Sequence, residues 1–140
     1  MTPQQIAAVK QSFALVVPIK EKAAELFYNR LFEIDPSTKP LFRSDMGEQG
    51  KKLMAALATV VGGLADVSRI LPTVQKLAKG HVAYGVEPRH YDSVGKALLW
   101  TLEQGLGPKF TPEVRDAWAS AYALLSDAMK NAAYGRASAA

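Results

Sequence analysis

Apolar side chains recur every three or four residues along most of the chain, a spacing typical of amphipathic α-helices. The first helix is predicted to begin at Thr2, because Thr2, Pro3 and Gln5 match a capping box with proline in the first turn. Pro18 interrupts the pattern, and a second helix is predicted over about Ile19–Ile34. No segment shows the alternation expected of a strand, so the pattern predicts an all-helical protein of about seven helices.

The same reasoning places the later helices. Asp35 and Pro36 predict a cap and a short helical turn, and a loop around Phe42 follows. Beyond it, helices are predicted over about Glu48–Asp66, Leu71–Tyr84 and Glu87–Gly105, with a last helix that begins at Thr111. Small residues on these helices predict close packing between helices, as at Gly62–Gly63.

The length of 140 residues suits one domain with one core, predicted over residues 1–134 and followed by a frayed tail over residues 135–140. The chain has no cysteine, which excludes disulfides, a thiolate nucleophile and cysteine-ligated metals. The net charge of +4 comes without a Lys/Arg block, so no nucleic-acid partner is expected. The apolar runs are too short for a membrane partner, and the N-terminus lacks a secretory pattern, so we expect a cytoplasmic protein.

Most enzyme signatures are missing. We find no phosphate-binding loop and no Gly-x-Ser-x-Gly motif. Two histidines nine residues apart make a weak zinc site. One of them, His81, ends an apolar helical stripe formed by Val74, Leu77 and Ala78. A histidine in that position is either a core side chain or an iron ligand, and taken alone the core interpretation is favoured.

Residues elsewhere shift that balance. Gln49 and Leu53 lie one turn apart on the long helix, so they project from the same face. Tyr28 offers a hydroxyl from another helix, and Phe42 offers a ring that can stack on a flat group. Each has an ordinary alternative, such as a surface glutamine or a core tyrosine. Together with His81 they favour a flat apolar cofactor.

Several segments resemble those of bacterial single-domain globins, the type found as the haem domain of flavohaemoglobins. The resemblance covers about Gln4 to Met129. It rests on Leu26–Phe32 followed by Asp35-Pro36, on Leu41-Phe42, on Gln49-x-x-Lys52-Leu53-Met54, on His81-x-x-Tyr84-Gly85-Val86-x-x-x-His90-Tyr91, and on Ala117-Trp118-x-x-Ala121-Tyr122.

This resemblance implies an all-α globin fold, a three-over-three helical sandwich around haem b. It makes His81 the proximal iron ligand and places Tyr28 and Gln49 over an open sixth position. It also implies contacts with the haem from Phe42, Lys52, Leu53, Val86, Tyr91 and Val94, with Lys52 beside a propionate. The second histidine, His90, is interpreted as a surface or propionate-side residue.

One feature departs from the flavohaemoglobin pattern. There a tyrosine and a glutamate support the proximal histidine; the tyrosine matches Tyr91, but the glutamate falls near Ala133. This departure weighs against an enzyme, and the resemblance implies reversible binding of dioxygen, nitric oxide and carbon monoxide by a monomer or weak dimer. The two donors Tyr28 and Gln49 favour tight retention of dioxygen. The alternatives are nitric oxide dioxygenation or peroxidase-like chemistry with a separate reductase, a gas sensor acting through a partner, and a haem-free bundle.

Overall fold

Six α-helices account for most of the computed structural model, which describes residues 1–41, 46–83 and 88–132. They are α1 (Pro3–Val16), α2 (Lys20–Ile34), α3 (Met46–Gly62), α4 (Val67–Ala83), α5 (Pro88–Leu106) and α6 (Pro112–Lys130). Short 3₁₀ helices lie at Val17–Ile19, Pro36–Leu41 and Gly107–Lys109. The described residues contain no strand, which confirms the all-helical prediction.

The predicted helix caps are formed. The Thr2 hydroxyl accepts the Gln5 main-chain N–H at 3.1 Å, and the Gln5 side-chain oxygen accepts the Thr2 N–H at 3.0 Å. At α6 the Thr111 hydroxyl accepts the Val114 N–H at 3.3 Å. These bonds satisfy N–H groups that have no partner inside the helix, so each cap fixes where its helix begins.

The boundary between α3 and α4 differs from the prediction. Helix α3 ends at Gly62, before Asp66, and α4 begins at Val67, a full turn before Leu71. Asp66 explains the early start of α4, because its carbonyl accepts the Arg69 N–H at 3.1 Å and its carboxylate accepts the Ser68 hydroxyl at 2.6 Å. Pro72 lies inside α4, where it removes one helical hydrogen bond without ending the helix.

The helices pack in crossed pairs. Helix α2 packs on α5 and α3, while α1 and α4 both pack on α6. The Arg30 guanidinium lies over the Trp100 ring, 5.0 Å from its centroid, and so adds a cation–π contact between α2 and α5. No helix in the described ranges is both long and apolar enough to span a membrane.

The buried apolar residues form two clusters. The main cluster joins α1, α2, α3, α5 and α6 around the fully buried Val9 and Leu31, with Phe13 and Trp118 in tilted ring contact. The smaller cluster consists of Val74, Ala78, Tyr91 and Met129. It buries α4 against the start of α5 and the end of α6, and Leu125 of α6 packs against both clusters.

Glycines mark the closest approaches between helices. A Cβ atom added to Gly50 would lie 3.1 Å from the Ala24 Cβ, at the crossing of α3 and α2. A Cβ atom on Gly63 would overlap the Ile70 side chain, whereas one on Gly62 would have nothing within 4 Å. The predicted close approach at Gly62–Gly63 is therefore confirmed for Gly63 alone.

A buried hydrogen bond joins α1 to α6. The Trp118 indole N–H donates to the Ser12 hydroxyl at 2.8 Å, and both side chains are buried. Ser12→Ala should lower the free energy of unfolding by about 1–3 kcal/mol, because it leaves the indole N–H buried without its acceptor. Urea unfolding followed by circular dichroism measures the change.

Thr59→Ala is the matched control for this prediction. The Thr59 hydroxyl bonds a carbonyl of its own helix, as Ser12 does, but it is exposed. Its removal should change the unfolding free energy by roughly 0.5 kcal/mol or less. Equal losses in the two variants would contradict the role given to the indole.

Candidate functional site

Tyr28 and Gln49 are neighbours across the α2–α3 crossing. The Tyr28 hydroxyl donates to the main-chain carbonyl oxygen of Gln49 at 3.0 Å. The Tyr28 side chain is only 6% exposed and packs edge-on against the Phe27 ring, with the ring centroids 5.1 Å apart. Burial raises the pKa of Tyr28 to about 12. The hydroxyl therefore stays protonated at physiological pH and acts as a hydrogen-bond donor.

The other predicted residues of α3 and α5 extend this wall. Leu53 lies one turn after Gln49, and Leu53 and Val94 are both half-buried against the main cluster. Lys52 is exposed, as suits an ammonium that would pair with a carboxylate at the edge of a site. Tyr28 and Leu53 thus both contribute to the main cluster, from α2 and α3.

Helix α4 supplies a second wall. Val74 and Ala78 are buried at 3% and 0% exposure, which confirms the apolar stripe. His81 lies in the last turn of α4, three residues after Ala78, and its side chain lies outside the described part of the structure. Phe42 and Val86 lie outside the described residues, as does Ala133.

Tyr91, the residue that the resemblance places beside the proximal histidine, is buried in the same cluster as Val74. The Tyr122 hydroxyl donates to the Tyr91 carbonyl at 2.5 Å and so ties α6 to the start of α5. A Cβ atom on Gly95 would lie 2.8 Å from the Tyr122 ring, so this tyrosine fits only over a glycine. Burial raises the pKa of Tyr122, which keeps its hydroxyl protonated as a donor.

His90 was interpreted as a surface or propionate-side residue, and the first of these alternatives is wrong. Its side chain is 3% exposed, and its Nε2 atom lies 3.4 Å from the Ser37 hydroxyl. The reason is the position of His90 in the first turn of α5, which packs against the 3₁₀ helix Pro36–Leu41. The helix start was read correctly, but the element that covers it is distant in sequence.

Asp35 is the centre of a polar cluster that sequence reasoning missed. One carboxylate oxygen accepts the Ser37 hydroxyl at 2.5 Å and the Ser37 N–H at 3.2 Å. The other accepts the Ser93 hydroxyl at 3.0 Å. The contacts with Ser37 follow from a local cap and were detectable, whereas Ser93 is 58 residues away. The cluster ties the end of α2 to α5.

The donors present suit a flat apolar cofactor with an open polar side. One wall carries the neutral hydroxyl of Tyr28 over apolar residues, and the α4 wall belongs to a separate apolar cluster. Within the described ranges, no three His, Cys, Asp or Glu side chains group together around a metal ion. The described residues therefore supply apolar surface and one hydrogen-bond donor, which are the groups that such a cofactor and a small ligand on it would need.

Comparison with known proteins identifies the family. The globin family model matches residues 25–129, three quarters of the chain. The chain belongs to the globin family. The globin of Campylobacter jejuni, a solved structure, superposes with a TM-score of 0.85 at 27% sequence identity, over 98% of this chain and 99% of that one. The predicted globin fold and the resemblance to bacterial single-domain globins are thereby confirmed.

The curated relatives of this globin are longer proteins. The flavohemoproteins of Bordetella parapertussis and Bordetella bronchiseptica are each 35% identical to it over 130 residues. That of Rhodopirellula baltica is 32% identical over the same length. The alignments cover 91% of this chain but 32% of each relative, so the globin spans about a third of their length.

The Asp35 cluster generates a prediction at acid pH. The Ser37 hydroxyl, with Ser93 and nearby Arg89, lowers the pKa of Asp35. A lowered pKa in the folded state stabilises the fold above the unfolded value of about 3.9, and this contribution is lost as pH falls through the folded pKa. The unfolding free energy of Asp35→Asn should therefore be lower at pH 7 and depend less on pH below 4.

Urea unfolding at pH 7, 4 and 3 tests this expectation. Asp127→Asn removes one carboxylate from an exposed position on α6 and serves as the control. Its pH dependence should match that of the unmodified protein. The prediction fails if the Asp35 and Asp127 variants lose stability in parallel with the unmodified protein as the pH is lowered.

Proposed function

We propose that this globin binds haem b through His81 and reversibly holds dioxygen, and also nitric oxide and carbon monoxide, at the open side of the iron. Membership of the globin family supports haem-based gas binding. The observation that carries the finer proposal is the 3.0 Å hydrogen bond between the Tyr28 hydroxyl and the Gln49 carbonyl. It supports a common pocket for the two residues that the resemblance assigns to the ligand.

Haem held by one imidazole supplies an open coordination position for a diatomic gas. The residues of the chain would then select and retain that gas. Tyr28 donates a hydrogen bond from a dry environment, where such bonds are stronger than in water. Half-buried Leu53 would add an apolar side chain to the pocket, and exposed Lys52 would pair with a propionate. The same pocket supports tight retention of dioxygen, whose outer atom becomes partly negative on binding.

The iron ligand is tested by two histidine variants. We expect His81→Ala to lose most of its bound haem, or to give an absorption spectrum that added imidazole restores. His90→Ala should retain the haem spectrum, because Nε2 of His90 lies beside Ser37. Spectra of the oxidised, reduced and carbon monoxide-bound protein measure both effects. The opposite pattern in the two variants would overturn the assignment of His81.

The retention of dioxygen is tested at Tyr28. Tyr28→Phe should raise the dioxygen dissociation rate by roughly tenfold, because a hydrogen bond to a charged acceptor contributes about 1.5–3 kcal/mol and 1.4 kcal/mol is a factor of ten. Stopped-flow mixing measures the rate. Gln49→Leu should have a smaller effect. An unchanged rate in Tyr28→Phe would show that the hydroxyl does not reach the ligand.

Nitric oxide dioxygenation with a separate reductase is the second candidate. The flavohemoprotein relatives favour it, because their names join a flavin to a haem and their sequences extend well beyond this globin. The substitution of Ala133 for the expected glutamate weighs against it. Repeated nitric oxide consumption with an added flavin reductase separates this enzyme from a carrier, which would react once and stop.

A further inference from the structure

The Tyr28 hydroxyl already has an acceptor in the protein. Its oxygen lies 3.0 Å from the Gln49 carbonyl oxygen, in hydrogen-bond geometry. That carbonyl belongs to the main chain of α3 and cannot swing away as a side chain does. The crossing at Gly50 and Ala24, where a Cβ atom on Gly50 would lie 3.1 Å from the Ala24 Cβ, fixes the two helices at this point.

A phenolic hydroxyl has one proton. It can therefore donate its full hydrogen bond either to the Gln49 carbonyl or to a ligand in the pocket, and the two acceptors compete. Hydrogen bonds to an ionised acceptor are roughly twice as strong as those between neutral groups. A ligand atom that becomes strongly negative is thus a better acceptor for the hydroxyl than a peptide carbonyl is. A weakly polar ligand is a poorer acceptor than that carbonyl.

We propose that the main-chain carbonyl of Gln49 is a fixed competitor for the Tyr28 hydroxyl and sets a polarity threshold for the gases that the pocket retains. Bound dioxygen is polar enough to accept the hydrogen bond of the Tyr28 hydroxyl in place of the carbonyl. Bound carbon monoxide is not, so the hydroxyl stays bonded to the Gln49 carbonyl. This inference rests on the proposed function. It assigns the selectivity between dioxygen and carbon monoxide to the main-chain carbonyl of residue 49, not to the Gln49 side chain.

The threshold has a measurable signature. In the carbon monoxide complex, the infrared C–O stretching frequency of the unmodified protein should match that of Tyr28→Phe, because the hydroxyl stays on the Gln49 carbonyl. The same Tyr28→Phe variant should release dioxygen much faster than the unmodified protein. Gln49→Leu keeps the main-chain carbonyl, so the C–O frequency should again be unchanged.

Weakening the carbonyl tests the competition directly. Replacing Gly50 by glycolic acid converts the Gln49–Gly50 amide into an ester, whose carbonyl is a poorer acceptor, and leaves every side chain in place. We expect the C–O frequency to fall and dioxygen release to slow by up to about fivefold, the factor that corresponds to the complete loss of one neutral hydrogen bond. Ala58→lactic acid makes a control ester at an exposed position of α3 and should change neither value.

Each outcome decides the matter. The competition is contradicted if the C–O frequency shifts in Tyr28→Phe but does not change with the ester at residue 50. That result would leave the proposed function unaffected. A shift produced equally by the control ester attributes the effect to a weakened helix and also contradicts the competition. Failure of every variant and of the unmodified protein to form a carbon monoxide complex overturns the proposed function, and the threshold with it.

Discussion

The close crossing of α2 and α3 at Ala24 and Gly50 determines where the candidate pocket has its polar group. Tyr28 lies one turn after Ala24 on α2, and Gln49 directly precedes Gly50 on α3. A Cβ atom at residue 50 would lie 3.1 Å from the Ala24 Cβ, so the two helices would have to move apart by a few tenths of an ångström. Because Gly50 has no Cβ atom, the helices can approach closely enough for the 3.0 Å hydrogen bond between the Tyr28 hydroxyl and the Gln49 carbonyl.

Polar contacts of another kind hold the opposite ends of the helices together. The Asp35 carboxylate bonds Ser37 locally and Ser93 on α5, and Ser37 lies beside buried His90. The Tyr122 hydroxyl bonds the Tyr91 carbonyl on the far side of α5. The first turns of α5 are thus fixed by α6 on one side and by the end of α2 on the other. That matters for the site because α5 begins just after the segment that follows His81.

The helices could be predicted from the sequence because they depend on local rules, whereas the roles of the site residues follow from the resemblance to globins and stay predictions. Helical periodicity and caps such as that of Thr2 depend on residues within one turn, and the structure confirms them. Two predictions failed, and a distant contact decides one of them. The surface alternative for His90 failed because nothing near it in sequence shows that Ser37 lies against it. The start of α4 was placed at Leu71, although the helix begins at Val67 and Pro72 lies inside it.

The hydroxyl of Tyr28 illustrates the same limit at the site itself. The sequence shows a tyrosine on an apolar face, and the resemblance to globins points it at a ligand. Neither reveals that a main-chain carbonyl 21 residues away accepts a hydrogen bond from this hydroxyl. Carbonyl groups are the same at every residue, so sequence patterns carry no signal for one that is used as an acceptor. Only the packing of helices makes such a contact visible.

The division of the core into two clusters bears on the cofactor. Tyr28 and Leu53 belong to the main cluster or pack against it, whereas Val74 and Ala78 of α4 are buried with Tyr91 and Met129. A bundle without a cofactor gains most by merging such faces into one core, since burial stabilises in proportion to the apolar area removed from water. The two clusters meet at α6, where the partly buried Leu125 packs against both. A flat apolar ring bound by α4, as proposed above, would add apolar contacts to this arrangement, and the Tyr28 hydroxyl would then be a polar group beside the ring.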